Sequence, residues 1–237
     1  MIKKIPNYIK YIFINVFFLF AFIFLFRIIF YNFSIQLENI STKEIQKAFW
    51  LGLRFDLKLA IIALFPLSLL VLVVNQRFFK QKIYKKIASI YLVITYTILT
   101  LFYLTDFGYY DYLAIRLDAT SLRFLTNLKI STQVLLESYP VYKGILGLSI
   151  LGFVTYKFSE LLYKKFKTTL EILSKKVKAF YFISCFLLLS FGIYNSITHY
   201  PLRWSEAFFS KNNSINQFTL NPVLYFFDSF AFRSEGV

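Results

Sequence analysis

The chain has 237 residues, of which 58% are hydrophobic and only 16% are charged, whereas a soluble domain carries about 25% charged residues. This composition excludes an ordinary water-soluble domain and predicts an integral membrane protein. The net charge is +15, but the basic runs alternate with apolar stretches too long for a soluble core, so a nucleic-acid partner is not predicted. The single cysteine and single histidine, Cys185 and His199, exclude an internal disulfide and any zinc site built from several Cys or His ligands.

Five apolar segments come close to or exceed the length of about 20 residues that a membrane-spanning helix needs. They cover about residues 11–33, 57–74, 87–105, 141–158 and 179–195. The first segment is too long for a signal-peptide core and has no small-residue cleavage site, so it is predicted to be retained as a helix. Pro66 lies inside the second segment and predicts a local bend there, since proline removes one helical hydrogen-bond donor.

The basic residues between these segments predict their orientation. Fifteen lysines and arginines, against two acids, lie in the N-terminus, the second loop and the fourth loop. The first loop, the third loop and the C-terminal segment hold nine basic residues against ten acids. Because basic loops stay in the cytoplasm, the N-terminus is predicted to be cytoplasmic and the C-terminus extracytoplasmic.

The outer loops contain patterns of short helices. Ser41 and Glu44 form a capping-box pattern that predicts a helix running along the interface into the second span. An apolar stripe from Leu117 to Leu128 predicts a second interfacial helix, and Asn221-Pro222 is typical of a helix start. The predicted fold class is therefore an all-α membrane protein with five transmembrane helices and short interfacial helices on the outer face. Residues 1–195 would form the five-helix transmembrane domain, and residues 196–237 an extracytoplasmic juxtamembrane tail.

Several ionisable residues near the predicted outer face are candidates for a functional site. Arg27 either snorkels to the headgroups or pairs with an outer acid or a lipid phosphate. The acids of the third loop could bind a cation, form a structural network of ion pairs, or line a polar groove for a lipid headgroup, but they lack the ligand spacing of a known metal loop. No catalytic residue and no metal site is assigned. The residues assigned to a lipid-headgroup site or a structural charge network are Arg54, Asp56, Asp106, Arg116, Asp118 and Arg203.

The chain contains five short motifs that are familiar together. They are GLRFD at 52–56, DFGYYDY at 106–112, RLDAT at 116–120, PLRWSEAFF at 201–209 and NQFTLNP at 216–222. Taken with the topology, they resemble the membrane half of lipoteichoic acid synthase-like phosphoglycerol transferases, which belong to the alkaline phosphatase/sulfatase superfamily. Each motif is short, but their order is fairly specific, and the resemblance extends over nearly the whole chain.

This resemblance implies a bacterial plasma (inner) membrane protein whose tail leads into a large extracytoplasmic catalytic domain. In the family, that domain uses a threonine nucleophile and a divalent metal such as Mn or Mg to transfer a phosphoglycerol-type group from a lipid donor. The catalytic domain is expected to be absent from these 237 residues, so no cofactor is assigned to this chain and the chain alone is expected to be inactive. Membrane lipids, including a phosphoglycerol-type lipid donor, are the expected partners.

Two functions follow from these observations. The first is an anchor that positions a lipid substrate for an extracytoplasmic phosphoglycerol transferase or sulfatase-like enzyme of cell-envelope polymer or glycan modification. The alternative is a stand-alone membrane scaffold or transporter-like protein. A transporter usually places polar residues at mid-membrane, whereas these spans are mainly Phe, Ile and Leu, which favours the anchor.

Overall fold

A computed structural model of the protein describes residues 5–34, 40–127, 129, 133, 136–137, 140–167, 174–196 and 199–234. No strand occurs in these ranges. The five long helices are α1 (Asn7–Ser34), α2 (Thr42–Val74), α3 (Lys82–Leu113), α4 (Val141–Lys167) and α5 (Lys175–Tyr194). Two shorter helices follow, α6 (Asn213–Thr219) and α7 (Pro222–Ser234). Short 3-10 helices cover Asn75–Phe79, Ala119–Asn127 and Trp204–Ala207.

The five predicted spans correspond to the five long helices, each long and apolar enough to cross a membrane. The predicted multi-pass character is therefore supported by length and composition. The helices extend beyond the predicted apolar segments, most of all α2, which begins fifteen residues before the predicted span. Its 33 residues make it about 50 Å long, against a hydrocarbon core of about 30 Å. Apolar length therefore locates the spans, but it does not locate the helix ends.

Two of the predicted outer elements can be compared with the structure. The capping box is confirmed, since the Ser41 hydroxyl accepts from the Glu44 amide at 3.3 Å and the Ser41 amide donates to the Glu44 carboxylate at 3.3 Å. The helix that starts there runs into the second span as predicted, and the two form the single helix α2. The second predicted interfacial helix is a 3-10 helix over Ala119–Asn127, and Leu128 of its apolar stripe lies outside the described residues.

The chain divides into two compact units, each built from separate stretches of sequence. The first unit comprises Met1–Leu25, Asp56–Tyr96 and Phe153–Leu202, and the second comprises Phe26–Phe55, Thr97–Gly152 and Arg203–Val237. The C-terminal segment from Arg203 onward therefore belongs to a unit that also contains parts of α1 to α4.

The first unit is held by an aromatic cluster near the ends of its helices. The ring of Tyr11 on α1 contacts Phe78, Phe79 and Phe166 at centroid distances of 5.3, 5.7 and 6.2 Å. The hydroxyl of Tyr163 on α4 donates to the Phe78 carbonyl at 2.9 Å. These contacts connect α1, α4 and the 3-10 helix that follows α2.

Pro66 lies inside α2, and the helix continues through it. Proline leaves the carbonyl four residues earlier, that of Ile62, without its helical donor. The hydroxyl of Tyr91 on α3 donates to the next carbonyl, that of Ala63, at 2.5 Å. A side chain of a neighbouring helix thus donates to the carbonyl next to the one that the proline leaves free.

The second unit has a core of five buried residues contributed by four helices. They are Phe30, Ala48, Tyr110, Ile215 and Phe218. Aromatic rings surround this cluster, and Phe49 meets Phe218 edge to face at 4.8 Å. Because α6 supplies two of the five residues, the C-terminal segment is an integral part of this core.

Candidate functional site

A buried ion pair joins two of the predicted site residues in the second unit. Arg116 donates from Nη1 to the Asp106 carboxylate, and the two side chains are 1% and 0% exposed. The other Asp106 oxygen accepts from the Leu117 amide at 2.9 Å. Asp106 was expected to begin the third loop, but α3 continues to Leu113 and places it within the helix. The helix can hold this acid because both of its oxygens have donors.

The turn that makes this pairing possible lies at Ala114. This residue follows the last residue of α3 and has a φ of 54°, the left-handed conformation that often ends helices. Its amide donates to the Tyr110 carbonyl at 2.8 Å. The chain therefore reverses directly after α3 and brings Arg116 back onto Asp106.

Arg116 also holds the C-terminal segment. Its Nε donates to the Gln217 backbone carbonyl at 3.0 Å, and its backbone amide donates to the Gln217 side-chain oxygen at 2.9 Å. The guanidinium lies over the Phe30 ring, with Cζ 3.5 Å from the ring centroid, a distance at which a cation is attracted to an aromatic face. One arginine thus connects α1, α3 and α6.

A second buried arginine, Arg27 on α1, binds the end of α6. It is 3% exposed and donates to the carbonyls of Phe218, Thr219 and Leu220, the last two at 3.4 Å. The last carbonyls of a helix have no partner within it and carry partial negative charge. Arg27 was expected to snorkel or to pair with an acid or a phosphate, and the structure shows that it binds these carbonyls.

Gly52 on α2 makes room for Arg27. A Cβ atom at this position would overlap the Arg27 guanidinium, so only glycine fits without moving the arginine. Gly52 is the first residue of the GLRFD motif, which gives this motif a packing role.

Asn221 fixes the start of α7 as predicted. Its side-chain oxygen accepts from the amides of Val223 and Leu224 at 3.1 and 3.3 Å, and Pro222 occupies the first helical position. Its side-chain nitrogen donates to the Tyr103 hydroxyl at 2.9 Å. Ser229 on α7 accepts from the Ala119 amide at 2.9 Å, so α7 is tied to both α3 and the segment that follows it.

The remaining predicted site residues have different environments. Asp118 is half-buried and accepts from the Tyr109 hydroxyl at 3.3 Å and the Thr120 amide at 3.0 Å, a local turn geometry. Arg54 is half-buried and Asp56 is 1% exposed, both on α2. Arg203 is exposed, and its amide donates to the Glu206 carboxylate at 3.4 Å.

These environments separate the candidates by what they could bind. Asp106 and Arg116 are enclosed by protein, so they stabilise the fold and do not face a ligand. Burial lowers the pKa of the Arg116 guanidinium, and the neighbouring Asp106 carboxylate opposes this effect. Arg203 and Arg54 retain exposed surface and are the predicted cations that could reach a lipid phosphate. Among the residues that the structure describes, no group of three or more His, Cys, Asp or Glu could hold a metal ion.

Two residues of this network had no assigned role at the level of sequence. Gln217 was recognised only as part of the NQFTLNP motif, and Phe30 only as part of the first span. Arg27 in an otherwise apolar span was a usable signal, because an arginine at this depth requires a partner. The sequence did not indicate that a helix end would be among its partners.

Comparisons with protein-family models, curated proteins and solved structures found no match to this chain.

Proposed function

We propose that this chain is the membrane-anchoring and lipid-positioning part of an extracytoplasmic phosphoglycerol transferase or sulfatase-like enzyme that modifies a cell-envelope polymer or glycan. The observation that carries the proposal is that three of the five motifs behind the resemblance are bonded to one another and a fourth packs against an arginine that binds one of them. Asp106 of DFGYYDY pairs with Arg116 of RLDAT, which binds Gln217 of NQFTLNP. Gly52 of GLRFD accommodates the arginine that binds the end of α6.

Such a network suits a rigid platform for substrate. Buried charge-assisted hydrogen bonds fix backbone positions, and here they fix the segment from α6 to α7. A binding site requires that its elements be held in place by supporting contacts of this kind. In the proposal, the second unit therefore keeps the C-terminal segment in a fixed geometry at the outer leaflet.

The substrate in this proposal is a lipid with a phosphoglycerol-type headgroup. Arg203 and Arg54 are proposed to contact its phosphate, since the planar guanidinium matches phosphate oxygens in pairs. The transfer step is assigned to a separate extracytoplasmic domain with a threonine nucleophile and a divalent metal, as the resemblance implies. The chain would then lie in the plasma membrane with its C-terminus outside.

The test is a gene deletion with complementation. Loss of the gene should remove phosphoglycerol-type substituents from an envelope polymer or glycan, read by ³¹P NMR of purified envelope fractions. The wild-type gene should restore the signal, Arg203→Gln should restore it poorly, and Arg123→Gln should restore it fully. Arg123 is the matched control because it is also an exposed arginine of the second unit. An unchanged envelope in the deletion strain would contradict the proposal and favour the scaffold or transporter alternative.

A further inference from the structure

A lysine-lined cavity lies in the first unit, among the start of α3, the second half of α4 and Lys80, which lies between the 3-10 helix Asn75–Phe79 and α3. Its volume is about 410 Å³. Six of its ten lining residues are lysines, namely Lys80, Lys82, Lys85, Lys86, Lys164 and Lys167. None of the ten is an acid.

Among the residues that the structure describes, acids compensate the charge of this lysine pocket only in part. Lys85 forms an ion pair with Glu160 at 2.5 Å, and this acid is also 4.0 Å from Lys157 outside the pocket. Lys82 and Lys86 are four residues apart on α3, a spacing at which like charges destabilise a helix. A bound anion with several oxygens would offset this repulsion, and lysine is a common point-charge partner of phosphate.

The surface beside the pocket is apolar. Ile90 lines the cavity and is 45% exposed, and Ile83, Ile87 and Ile94 on the same helix are also exposed. Their spacing of three and four residues places them on one face of α3. We name this face the isoleucine stripe. An anionic lipid needs basic side chains for its headgroup and an apolar surface for its acyl chains, and the pocket and the stripe provide both. A free phosphate ion would need only the lysines.

We propose that the lysine pocket binds the phosphate of an anionic membrane lipid, whose acyl chains lie along the isoleucine stripe. The pocket lies where long apolar helices begin and end, which is the depth of a lipid headgroup, and basic pockets between helices on the cytoplasmic side are typical headgroup sites. The basic loops predict that this membrane face is cytoplasmic. The inference uses different residues from the proposed substrate site and does not depend on it.

The test measures lipid binding to the purified full chain in neutral detergent by native mass spectrometry. The probes are dioctanoyl phosphatidylglycerol, dioctanoyl phosphatidylcholine and glycerol 3-phosphate. The variant Lys82→Gln/Lys164→Gln should weaken phosphatidylglycerol binding about tenfold or more, since each lysine near an anionic surface contributes on the order of a fivefold change in affinity. The variant Lys175→Gln/Lys176→Gln removes the same charge from exposed lysines at the start of α5 and should change binding less than twofold.

Further variants distinguish the loss of a binding site from the loss of the folded structure. Lys82→Arg/Lys164→Arg keeps the charge and should retain binding, and all variants should keep the helical circular dichroism of the wild type. All of these variants are also measured in an Arg54→Gln/Arg203→Gln background, which removes both cations of the proposed substrate site. A failure of the pocket proposal is thereby separable from a failure of the proposed function. Equal losses in the two glutamine variants, no preference over phosphatidylcholine, or equal affinity for glycerol 3-phosphate would each overturn the proposal.

Discussion

Ala114 is the residue at which α3 ends and the chain reverses. Three described residues other than glycine have positive φ, and the other two, Asn75 and Asn195, are asparagines, which tolerate this conformation better than alanine. Replacing Ala114 by glycine should remove the steric cost at its Cβ and stabilise the protein by about 1 kcal/mol. Thermal unfolding in detergent, followed by circular dichroism, should show a higher midpoint for Ala114→Gly. Ala114→Val should lower the midpoint, and a rise with valine would contradict this account.

The buried pair of Asp106 and Arg116 predicts a strong asymmetry between single and double substitutions. Asp106→Asn leaves a buried guanidinium without its counter-charge and should cost about 3–5 kcal/mol, whereas Asp106→Leu/Arg116→Met should cost much less than the sum of the two single changes. A double-mutant cycle measured by thermal unfolding provides the comparison. The control is Lys85→Met, which breaks a partly exposed pair with Glu160 and should cost about 1 kcal/mol or less. Equal losses of stability in Asp106→Asn and Lys85→Met would contradict the view that burial makes the loss of one partner costly.

At the scale of elements, the features that were predicted correctly are those encoded by neighbouring residues. Apolar runs located the five long helices, and the patterns at Ser41 and Asn221 located two helix starts that the hydrogen bonds confirm. Features that depend on contacts between residues far apart in the sequence were not predicted. The C-terminal end of α3 could not be predicted, because an aspartate at position 106 is typical of a loop unless its buried partner Arg116 is known. The role of Arg27 could not be placed because α6, which it binds, lies far along the chain.

The contact between α1 and α2 at Gly52 predicts opposite effects for two glycine substitutions. Gly52→Ala would push a Cβ into the Arg27 guanidinium and should destabilise the protein by about 1–3 kcal/mol. Gly147→Ala in α4 meets no atom within 4 Å and should stabilise it by about 0.5–1 kcal/mol, because glycine is a poor helix residue. Unfolding midpoints of the two variants in the same detergent give the comparison. A midpoint for Gly52→Ala at or above that of Gly147→Ala would contradict the proposed packing role.

At the scale of the whole molecule, the orientation of the five helices is the prediction with the widest consequences. An odd number of crossings puts the two termini on opposite sides of the membrane, and the distribution of lysine and arginine chooses the side. The structure supports the number of candidate spans, while the orientation stays a prediction from the loops. The proposed substrate site depends on it, since Arg203 lies in the C-terminal segment that is predicted to be extracytoplasmic.

Paired fusions to alkaline phosphatase and green fluorescent protein test this orientation directly, because the first is active only outside the cytoplasm and the second fluoresces only inside. Fusions after Arg77, between α2 and α3, and after Lys165, near the end of α4, should be fluorescent and lack phosphatase activity. Fusions after Asn127 and Val237 should show the reverse. The physical reason is that translocating a loop rich in lysine against the membrane potential costs about 2.3 kcal/mol per charge at 100 mV, so the basic loops remain inside. Phosphatase activity at Lys165 would rule out the five-crossing arrangement, since the strongly basic connection between α4 and α5 would then lie outside.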